Sequence, residues 1–209
     1  IDFFQINLHK SHCAHANLMA ELQTGVQKPK VILIQEPYFA KRQTPRAPLG
    51  FNIYYAHGEN PRAIVLVSKS LTSIGLDHFS TRDTVLVQIS VGQEDFLVCS
   101  SYLDITVPQV VYDVDKCVDH SHTTKVPIVI GMDSNCHSEL WGCLSSNQRG
   151  EVLEDFIFNK NLILHNQGNK PTFVGAVGSS IIDLTLSDTS LVDKIQSWQV
   201  LDEDYMSDH

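Results

Sequence analysis

Residues 126–135 read VPIVIGMDSN, an apolar run that ends abruptly in polar side chains. The unbroken apolar run is typical of a strand that is buried on both faces. Because side chains alternate along an extended chain, Asp133 and Asn135 should project from the same face. The stretch therefore predicts a central strand whose end presents two side chains to one ligand.

The same pattern recurs near the N-terminus. Val31–Gln35 is a second unbroken apolar strand, and Glu36 follows it directly. Residues 3–8 alternate as a short strand that carries Asn7 on its polar face. Apolar residues at helical spacing, followed by a glycine, predict a helix over residues 11–25 between the two strands.

The rest of the chain alternates between strand and helix patterns. Residues 107–118 carry valines at i, i+3, i+4 and i+7, which predicts a helix despite their β-branched side chains, and residues 152–157 mark another. The remaining predicted strands are residues 51–56, 63–68, 84–90, 95–102, 126–132, 171–174, 180–186 and 195–201. Residues 51–102 resemble consecutive antiparallel strands. The whole pattern predicts one α/β domain, a two-layer β-sandwich flanked by helices.

Composition limits the classes of protein. The chain has 209 residues with 15 basic and 24 acidic side chains, hence a formal net charge of −9. No apolar run approaches the roughly 18 residues of a membrane span, so we exclude a membrane protein. The five cysteines include no C-x-x-C pair, which favours a reducing compartment over a disulfide framework. The chain starts with Ile1, and we expect it to be a domain excised from a longer polyprotein.

Polar residues cluster at the ends of the predicted strands, where a rigid scaffold commonly carries a site. Each has an ordinary structural explanation when taken alone, such as a turn or a helix cap. Jointly they meet the needs of metal-assisted phosphodiester hydrolysis: oxygen ligands for Mg²⁺, a carboxylate that activates water, and a histidine oriented by a second carboxylate. We favour the joint interpretation.

Several motifs occur in the order found in the endonuclease/exonuclease/phosphatase family, which the chain resembles over essentially its whole length. The run 133–142, DSNCHSELWG, is similar more narrowly to the apurinic-type endonuclease domain of non-LTR (LINE) retrotransposons. The other matching segments are QIN at 5–7, QE at 35–36, Tyr102, QRG at 148–150, TF at 172–173, IDL at 182–184 and SDH at 207–209. The resemblance implies a deoxyribonuclease I-like fold.

The resemblance also implies roles for individual residues. Glu36, Asn7 and Asp208 would hold Mg²⁺, with Mn²⁺ as a substitute. Asp133 would activate or position the attacking water, and Asn135 would bind the scissile phosphate. The remaining catalytic assignments are His209, oriented by Asp183, for the transition state, and Tyr102 for phosphate or the leaving oxygen. In the apurinic/apyrimidinic endonucleases an acidic residue stands where this chain has His9, which argues against a repair enzyme.

Contacts to DNA are assigned more broadly. Thr172 and Ser207 belong to the matching motifs, and Trp141 is a candidate for stacking on a base. The uncharged loop at residues 174–180, which contains Val177, is predicted either to be a simple hairpin or to enter a DNA groove. Candidate backbone contacts are the basic side chains Lys10, Lys41, Arg42, Arg46, Arg62 and Arg149.

These features predict a Mg²⁺-dependent endonuclease that nicks double-stranded chromosomal DNA in the nucleus. The nick would prime reverse transcription by a reverse transcriptase domain located downstream. The alternatives are another phosphoesterase of the same fold, such as a repair nuclease, phosphoinositide phosphatase or sphingomyelinase, and a non-catalytic binding module. A zinc site at the His9–His15 or Cys136–Cys143 clusters is disfavoured, because neither has a well-formed four-ligand spacing.

Overall fold

Three helices and two β-sheets form the framework of the chain in its computed structural model, which describes residues 1–25, 28–39, 47–58, 60–176, 178–202 and 205–209. The helices are α1 (His12–Thr24), α2 (Tyr112–Thr124) and α3 (Gln148–Asn159). Among these described residues, no helix is long and apolar enough to cross a bilayer.

The two sheets are built from separate parts of the chain. The first has the order β1-β2-β4-β3, with β1 (Phe3–Asn7), β2 (Val31–Gln35), β3 (Phe51–Tyr54) and β4 (Ala63–Ser68). The second has the order β5-β6-β7-β8-β12-β9, with β5 (Thr72–Gly75), β6 (Thr84–Val91), β7 (Glu94–Tyr102), β8 (Ile128–Asp133), β9 (Leu162–Leu164) and β12 (Asp183–Asp188). A separate hairpin consists of β10 (Phe173–Gly175) and β11 (Gly178–Ser180).

Each sheet contains one parallel pair connected through a helix. β1 pairs with β2 across α1, and β7 pairs with β8 across α2. The other strand pairs within the two sheets are antiparallel. Both parallel pairs bring the carboxyl ends of their strands to one edge, which is where the polar residues of the predicted site begin.

Apolar side chains form three layers. A middle layer of mostly valines, including Val65 and Val87, lies between the sheets. Leu18 and Leu22 of α1 pack on the outer face of the first sheet, and α2 and α3 pack on the outer face of the second. The predicted two-layer sandwich with outer helices is therefore confirmed.

Local sequence explains where two of the helices begin. The Ser11 hydroxyl accepts a hydrogen bond from the N–H of Ala14 at the start of α1. The Asn147 side chain accepts one from the N–H of Gly150 at the start of α3. Both are N-caps, which satisfy N–H groups that have no partner within the helix. The predicted helix over residues 11–25 is confirmed.

The structure corrects three predictions about secondary structure and adds two strands. The valine-patterned helix begins at Tyr112 rather than Val107, because Asp104 accepts hydrogen bonds from Thr106 in a local turn that is followed by Pro108. Residues 195–201 are not a strand; the carbonyls of residues 200 and 201 accept hydrogen bonds from a lysine side chain instead. Strands β5 and β9 are short and were not predicted. The middle strands are not one antiparallel series, since β4 and β6 belong to different sheets.

Candidate active site

The polar ends of five strands converge on one side of the sandwich. Asp133 ends β8, and in the sheet it is paired in register with Asp183 at the start of β12 and with Tyr102 at the end of β7. Asn7 and Glu36 come from the ends of β1 and β2 in the other sheet. The cleft above them has a volume of about 520 Å³, and Glu36, Tyr102, Asp133, Asn135 and His209 are among its lining residues.

The floor of this cleft is a compact group of two carboxylates and one imidazole. Asp133, Asp183 and His209 each place a ligand atom within 4.8 Å of the others. Nδ1 of His209 lies 2.7 Å from Oδ2 of Asp183. The other carboxylate oxygen of Asp183, Oδ1, is buried and has no hydrogen-bond partner. The group can therefore still bind a proton or a cation.

Burial and the charge of Asp183 shift the pKa values of Asp133 and His209. The pKa of Asp133 is raised to about 7, first by desolvation and then by the charge of Asp183, while His209 and Asn7 oppose the shift. Burial alone would lower the pKa of His209, but the hydrogen bond and charge of Asp183 raise it above its usual value. A carboxylate that titrates near neutrality suits a general base, and the raised pKa of His209 favours the charged imidazole, which suits a phosphate.

Asn7 connects the first sheet to this group. Its Nδ2 donates a hydrogen bond of 2.7 Å to Oδ2 of Asp133, across the gap between the sheets. Its Oδ1 accepts a hydrogen bond from the N–H of His9. The backbone bond fixes the orientation of the amide, and the amide in turn fixes Asp133.

Glu36 lies in the same cleft with a strained backbone. Its φ is +43°, a left-handed conformation that is uncommon for residues other than glycine. Its N–H donates to the carbonyl of Arg62, and its carbonyl accepts from the N–H of Lys10. Nζ of Lys10 lies 2.6 Å from Oε1 of Glu36. These bonds on both sides hold the carboxylate at the edge of the cleft.

The residues present fit a divalent cation. Glu36 and Asp133 offer carboxylate oxygens and Asn7 an amide oxygen, which are the donors that Mg²⁺ prefers. The Lys10 ammonium already places a positive charge on Glu36, and the unpaired oxygen of Asp183 is a further donor nearby. Asp208 differs from the other predicted ligands, because its side chain is 56% exposed and points toward Nδ1 of His9 at 4.0 Å.

Tyr102 and Asn135 form the opposite wall of the cleft. The pKa of Tyr102 is raised to about 12, mainly by burial and then by the charges of Glu36 and Asp133. The phenol is therefore a neutral donor near pH 7. Nδ2 of Asn135 donates to the carbonyl of Leu103 at 3.3 Å, and its backbone has φ +47°. Both side chains line the cleft, as the sequence predicts.

The described residues predicted to contact substrate make contacts within the protein instead. The Thr172 hydroxyl accepts hydrogen bonds from the N–H groups of Ile182 and Asp183, and the Ser207 hydroxyl donates to the carbonyl of Asn7. Both residues hold the site together, and their contact with substrate stays a prediction. Trp141 is wrong as a stacking residue, because it is 3% exposed and packed in the core. Val177 lies outside the described residues.

Each of the three basic candidates in the described part of the chain is bound by partners within the protein. Lys10 is bound to Glu36, and Arg62 is bound to Asp83 and Asp104. Arg149 donates to the carbonyls of Val107 and Leu103 and so braces a loop. Three further candidates fall outside the described residues: Lys41, Arg42 and Arg46.

Some cleft residues were missed or assigned no role. His137 lines the cleft, and Phe173 packs against the ring of His209 with 4.9 Å between centroids. Ser179 and Ser180 of the hairpin also face the cleft. His137 follows Asn135 by two positions in an irregular segment, so alternation along a strand could not have placed it.

The chain is similar in sequence to known proteins. A family model described as endonuclease-reverse transcriptase matches residues 96–209. A Drosophila melanogaster protein, the putative 115 kDa protein in type-1 retrotransposable element R1DM, is 22% identical over 99% of this chain. The chain spans about a fifth of the length of that relative, 21%.

Solved structures show the same fold. The endonuclease domain of TRAS1, a telomere-specific non-LTR retrotransposon, superposes with a TM-score of 0.81 at 26% identity, covering 98% of this chain and 93% of that one. The Xenopus laevis APE2 catalytic domain superposes with a TM-score of 0.61 at 14% identity, covering 92% and 84% of the two chains. The fold is the deoxyribonuclease I-like fold of the endonuclease/exonuclease/phosphatase proteins. With a family model matched over more than half of its length, the chain belongs to the endonuclease–reverse transcriptase family.

Proposed function

We propose that this chain is a Mg²⁺-dependent endonuclease that nicks one strand of double-stranded DNA. The observation that carries the proposal is the buried group of Asp133, Asp183 and His209 on the floor of an open cleft, beside Glu36. An open cleft suits a long polymer, because both ends of the substrate can leave it. Membership of the endonuclease–reverse transcriptase family supports the same reaction.

The side chains divide the chemistry between them. Asp133 accepts the proton of the attacking water, and the hydrogen bond from Asn7 holds its carboxylate in place for that step. The His209 imidazolium, held by Asp183, faces the negative charge that develops on the phosphate. Asn135 and the neutral Tyr102 phenol supply hydrogen bonds to phosphate oxygens. When bound by Glu36 and Asn7, Mg²⁺ would neutralise charge on the scissile group.

The biological setting is part of the proposal. The Drosophila relative is described as part of a retrotransposable element and is about five times longer than the matched region. We infer that this chain is a domain of a similar polyprotein with a reverse transcriptase domain downstream. The 3′-hydroxyl left by the nick would then prime reverse transcription. This order of events requires chromosomal DNA, so the proposed location is the nucleus.

A nicking assay on supercoiled plasmid tests the reaction. The parent chain should convert plasmid to the open circle with Mg²⁺ and leave it intact with a chelator. Asp133→Ala and His209→Ala should each lower the rate by at least about 10²-fold, the lower bound for loss of a positioned proton-transfer group. Asp155→Asn, an exposed acid on α3, is the matched control and should nick at the parental rate.

Two results would count against the proposal. Retention of more than half of the parental rate in either site variant would remove the assigned roles, provided that thermal unfolding shows a folded protein. A parent chain that cleaves only duplexes carrying an abasic nucleotide would indicate a repair nuclease instead.

A further inference from the structure

Arg62 lies at the edge of the active site, where two carboxylates of the protein bind its side chain. It directly precedes β4 in the first sheet, and its side chain is 11% exposed. Nε and Nη2 each lie 2.5 Å from one oxygen of Asp83, and Nη2 lies 2.7 Å from Oδ2 of Asp104. Both carboxylates belong to the second sheet: Asp83 directly precedes β6, and Asp104 follows β7.

The partners of Arg62 are themselves fixed. Two hydrogen bonds from Thr106 and the contact with Arg62 lower the pKa of Asp104 to about 2. The carbonyl of Asp83 accepts the N–H of Tyr102 at 2.8 Å. The hydrogen bonds that the guanidinium donates to Asp83 raise its pKa, although burial opposes the shift. The group is therefore a charged, bidentate ion pair with little freedom to turn toward DNA.

The same residue touches two parts of the site. The guanidinium carbon of Arg62 lies 4.7 Å from the centroid of the Tyr102 ring, a cation–π contact. Its backbone carbonyl accepts the N–H of Glu36 at 2.8 Å. Glu36 comes from the first sheet and Tyr102 from the second. Arg62 is thus bonded to both walls of the cleft.

We propose that Arg62 is a positioning residue that sets the spacing between Glu36 and Tyr102 by binding Asp83, Asp104 and the Tyr102 ring at once. It does not contact the phosphate. The inference rests on the proposed function for its kinetic readout. This role replaces the contact with the DNA backbone that the sequence suggests for Arg62. It also explains why the residue is an arginine, because lysine cannot form two parallel hydrogen bonds to one carboxylate or stack on a ring in the same way.

The test is Arg62→Lys, which keeps the charge and removes the fork. The matched control is Arg82→Lys, a neighbouring exposed arginine whose side chain donates only to the Asn60 carbonyl among the contacts seen. We expect Arg62→Lys to lower the single-turnover rate at saturating DNA by at least about 10-fold, the scale at which small misplacements act. Its Kd for duplex DNA in chelator should stay within about 2-fold of the parent, with the same salt dependence.

The opposite result overturns the proposal. If Arg62 binds phosphate, Arg62→Lys keeps most of the rate at saturating DNA, and Arg62→Met weakens Kd and reduces the slope of log K against log salt by about 1. Asp104→Asn is the second variant, because it removes one partner and leaves Asp83 to hold the arginine. It should lower the rate in the same direction, and an unchanged rate would also overturn the proposal.

A readout without catalysis separates this inference from the proposed function. With 3-fluorotyrosine in the protein, the Tyr102 resonance is identified by its loss in Tyr102→Phe. Arg62→Lys should shift that resonance, whereas Arg82→Lys should not. If the parent does not nick DNA but Arg62→Lys still shifts the Tyr102 resonance, only the endonuclease proposal is wrong. An unshifted resonance would sink the positioning role of Arg62.

Discussion

Four residues around the cleft adopt left-handed backbone conformations although none is glycine. They are His9, Lys10, Glu36 and Asn135, with φ values of 48°, 54°, 43° and 47°. Such conformations cost on the order of 1–3 kcal/mol each and persist only where neighbouring contacts hold them. The hydrogen bonds on both sides of Glu36 are contacts of this kind. Side-chain direction at the cleft is thus set by the backbone, residue by residue.

Replacement of Glu36 tests its role in metal binding. Glu36→Gln should weaken Mg²⁺ binding more than DNA binding, because it removes a charged oxygen from a hard cation and leaves the basic residues unchanged. High Mg²⁺ or Mn²⁺ should restore part of the activity. The measurement is the Mg²⁺ dependence of nicking, with calorimetry of metal binding.

Two further variants sharpen this experiment. Asp208→Asn should shift the metal titration less than Glu36→Gln, because Asp208 is largely exposed and lies apart from the carboxylate group. Glu151→Gln, on the surface of α3, should leave it unchanged. If the Glu36→Gln curve overlays the parental curve, Glu36 is not a ligand.

Asp133 should make the stability of the metal-free protein depend on pH. Its folded pKa of about 7 lies above the usual 3.8, so the folded protein binds the proton more tightly than the unfolded chain. This contribution to stability is fully present below about pH 4 and is lost as the pH rises through about 7. Urea unfolding in chelator should therefore show the free energy of unfolding of the parent falling relative to Asp133→Asn between pH 4 and 8. Parallel curves for the two proteins would contradict the assigned shift.

The elements differ in how well sequence patterns predict them. Unbroken apolar runs and helical spacing are local signals, and strands β2 and β8 and helix α1 were predicted from them. The start of α2 was not, because the valine spacing continues through a turn made by Asp104 and Thr106. Strand β9 has three residues and depends on pairing with β12, which no local pattern reveals.

The hairpin of β10 and β11 is the element most suited to choosing a target. Val174 is 62% exposed, and Ser179 and Ser180 line the cleft. The hairpin has no charge, so it contributes little of the phosphate affinity that Lys and Arg provide. Replacement of residues 175–179 by a shorter turn should change which sites are nicked far more than overall DNA affinity, through loss of shape readout.

The measurement is a map of nicks on a long mixed-sequence duplex at constant salt. The parent and the hairpin variant are compared at the same enzyme concentration. An unchanged pattern at a lower rate would mean that the hairpin is only structural. Target choice would then have to come from other parts of the cleft wall, such as His137.

At the scale of the whole molecule, the layer between the two sheets is apolar over most of its extent and becomes polar near the site. Valines fill most of the gap between the sheets, but near the cleft Gln35 donates to the Ser100 hydroxyl and Gln5 donates to the Met132 carbonyl. Gly131 lies among these residues. A Cβ added there would lie 2.5 Å from Cδ1 of Leu33 and 2.7 Å from Oε1 of Gln5. A methyl group at Gly131 would therefore force the buried Leu33 and Gln5 side chains beside Asp133 to move.

Gly131→Ala should displace the Leu33 and Gln5 side chains between the sheets. Overpacking of this kind typically costs about 1–3 kcal/mol. The free energy of unfolding in urea should fall by that amount, whereas Asp155→Ala on the exposed face of α3 should change it by less than about 0.5 kcal/mol. Nicking by the folded Gly131→Ala protein should also fall, since Asp133 follows two residues later. A free energy of unfolding equal to that of the parent would show that the space beside Gly131 can accept a methyl group without loss of stability.

The site was partly predictable for a reason that concerns the whole chain. The residues that end strands β1, β2 and β8 were found because strand ends on one edge of a sandwich meet. The inward orientation of Arg62 and Trp141 was not, because sequence shows that a side chain is basic or aromatic but not which neighbours surround it. Asp83 and Asp104 are 21 and 42 positions from Arg62, and nothing local connects them.

The connection between Asn7 and the last three residues has a consequence for synthesis. Ser207 donates to the carbonyl of Asn7 from about 200 positions away, and His209 completes the carboxylate group in the same segment. At about 5–20 residues per second, a ribosome needs roughly 10–40 s to travel from one to the other. Throughout that interval the nascent chain carries Glu36 and then Asp133 without their imidazole partner. Because the proposed reaction needs His209, the nascent chain should stay inactive until residue 209 has been synthesised and has reached Asp183.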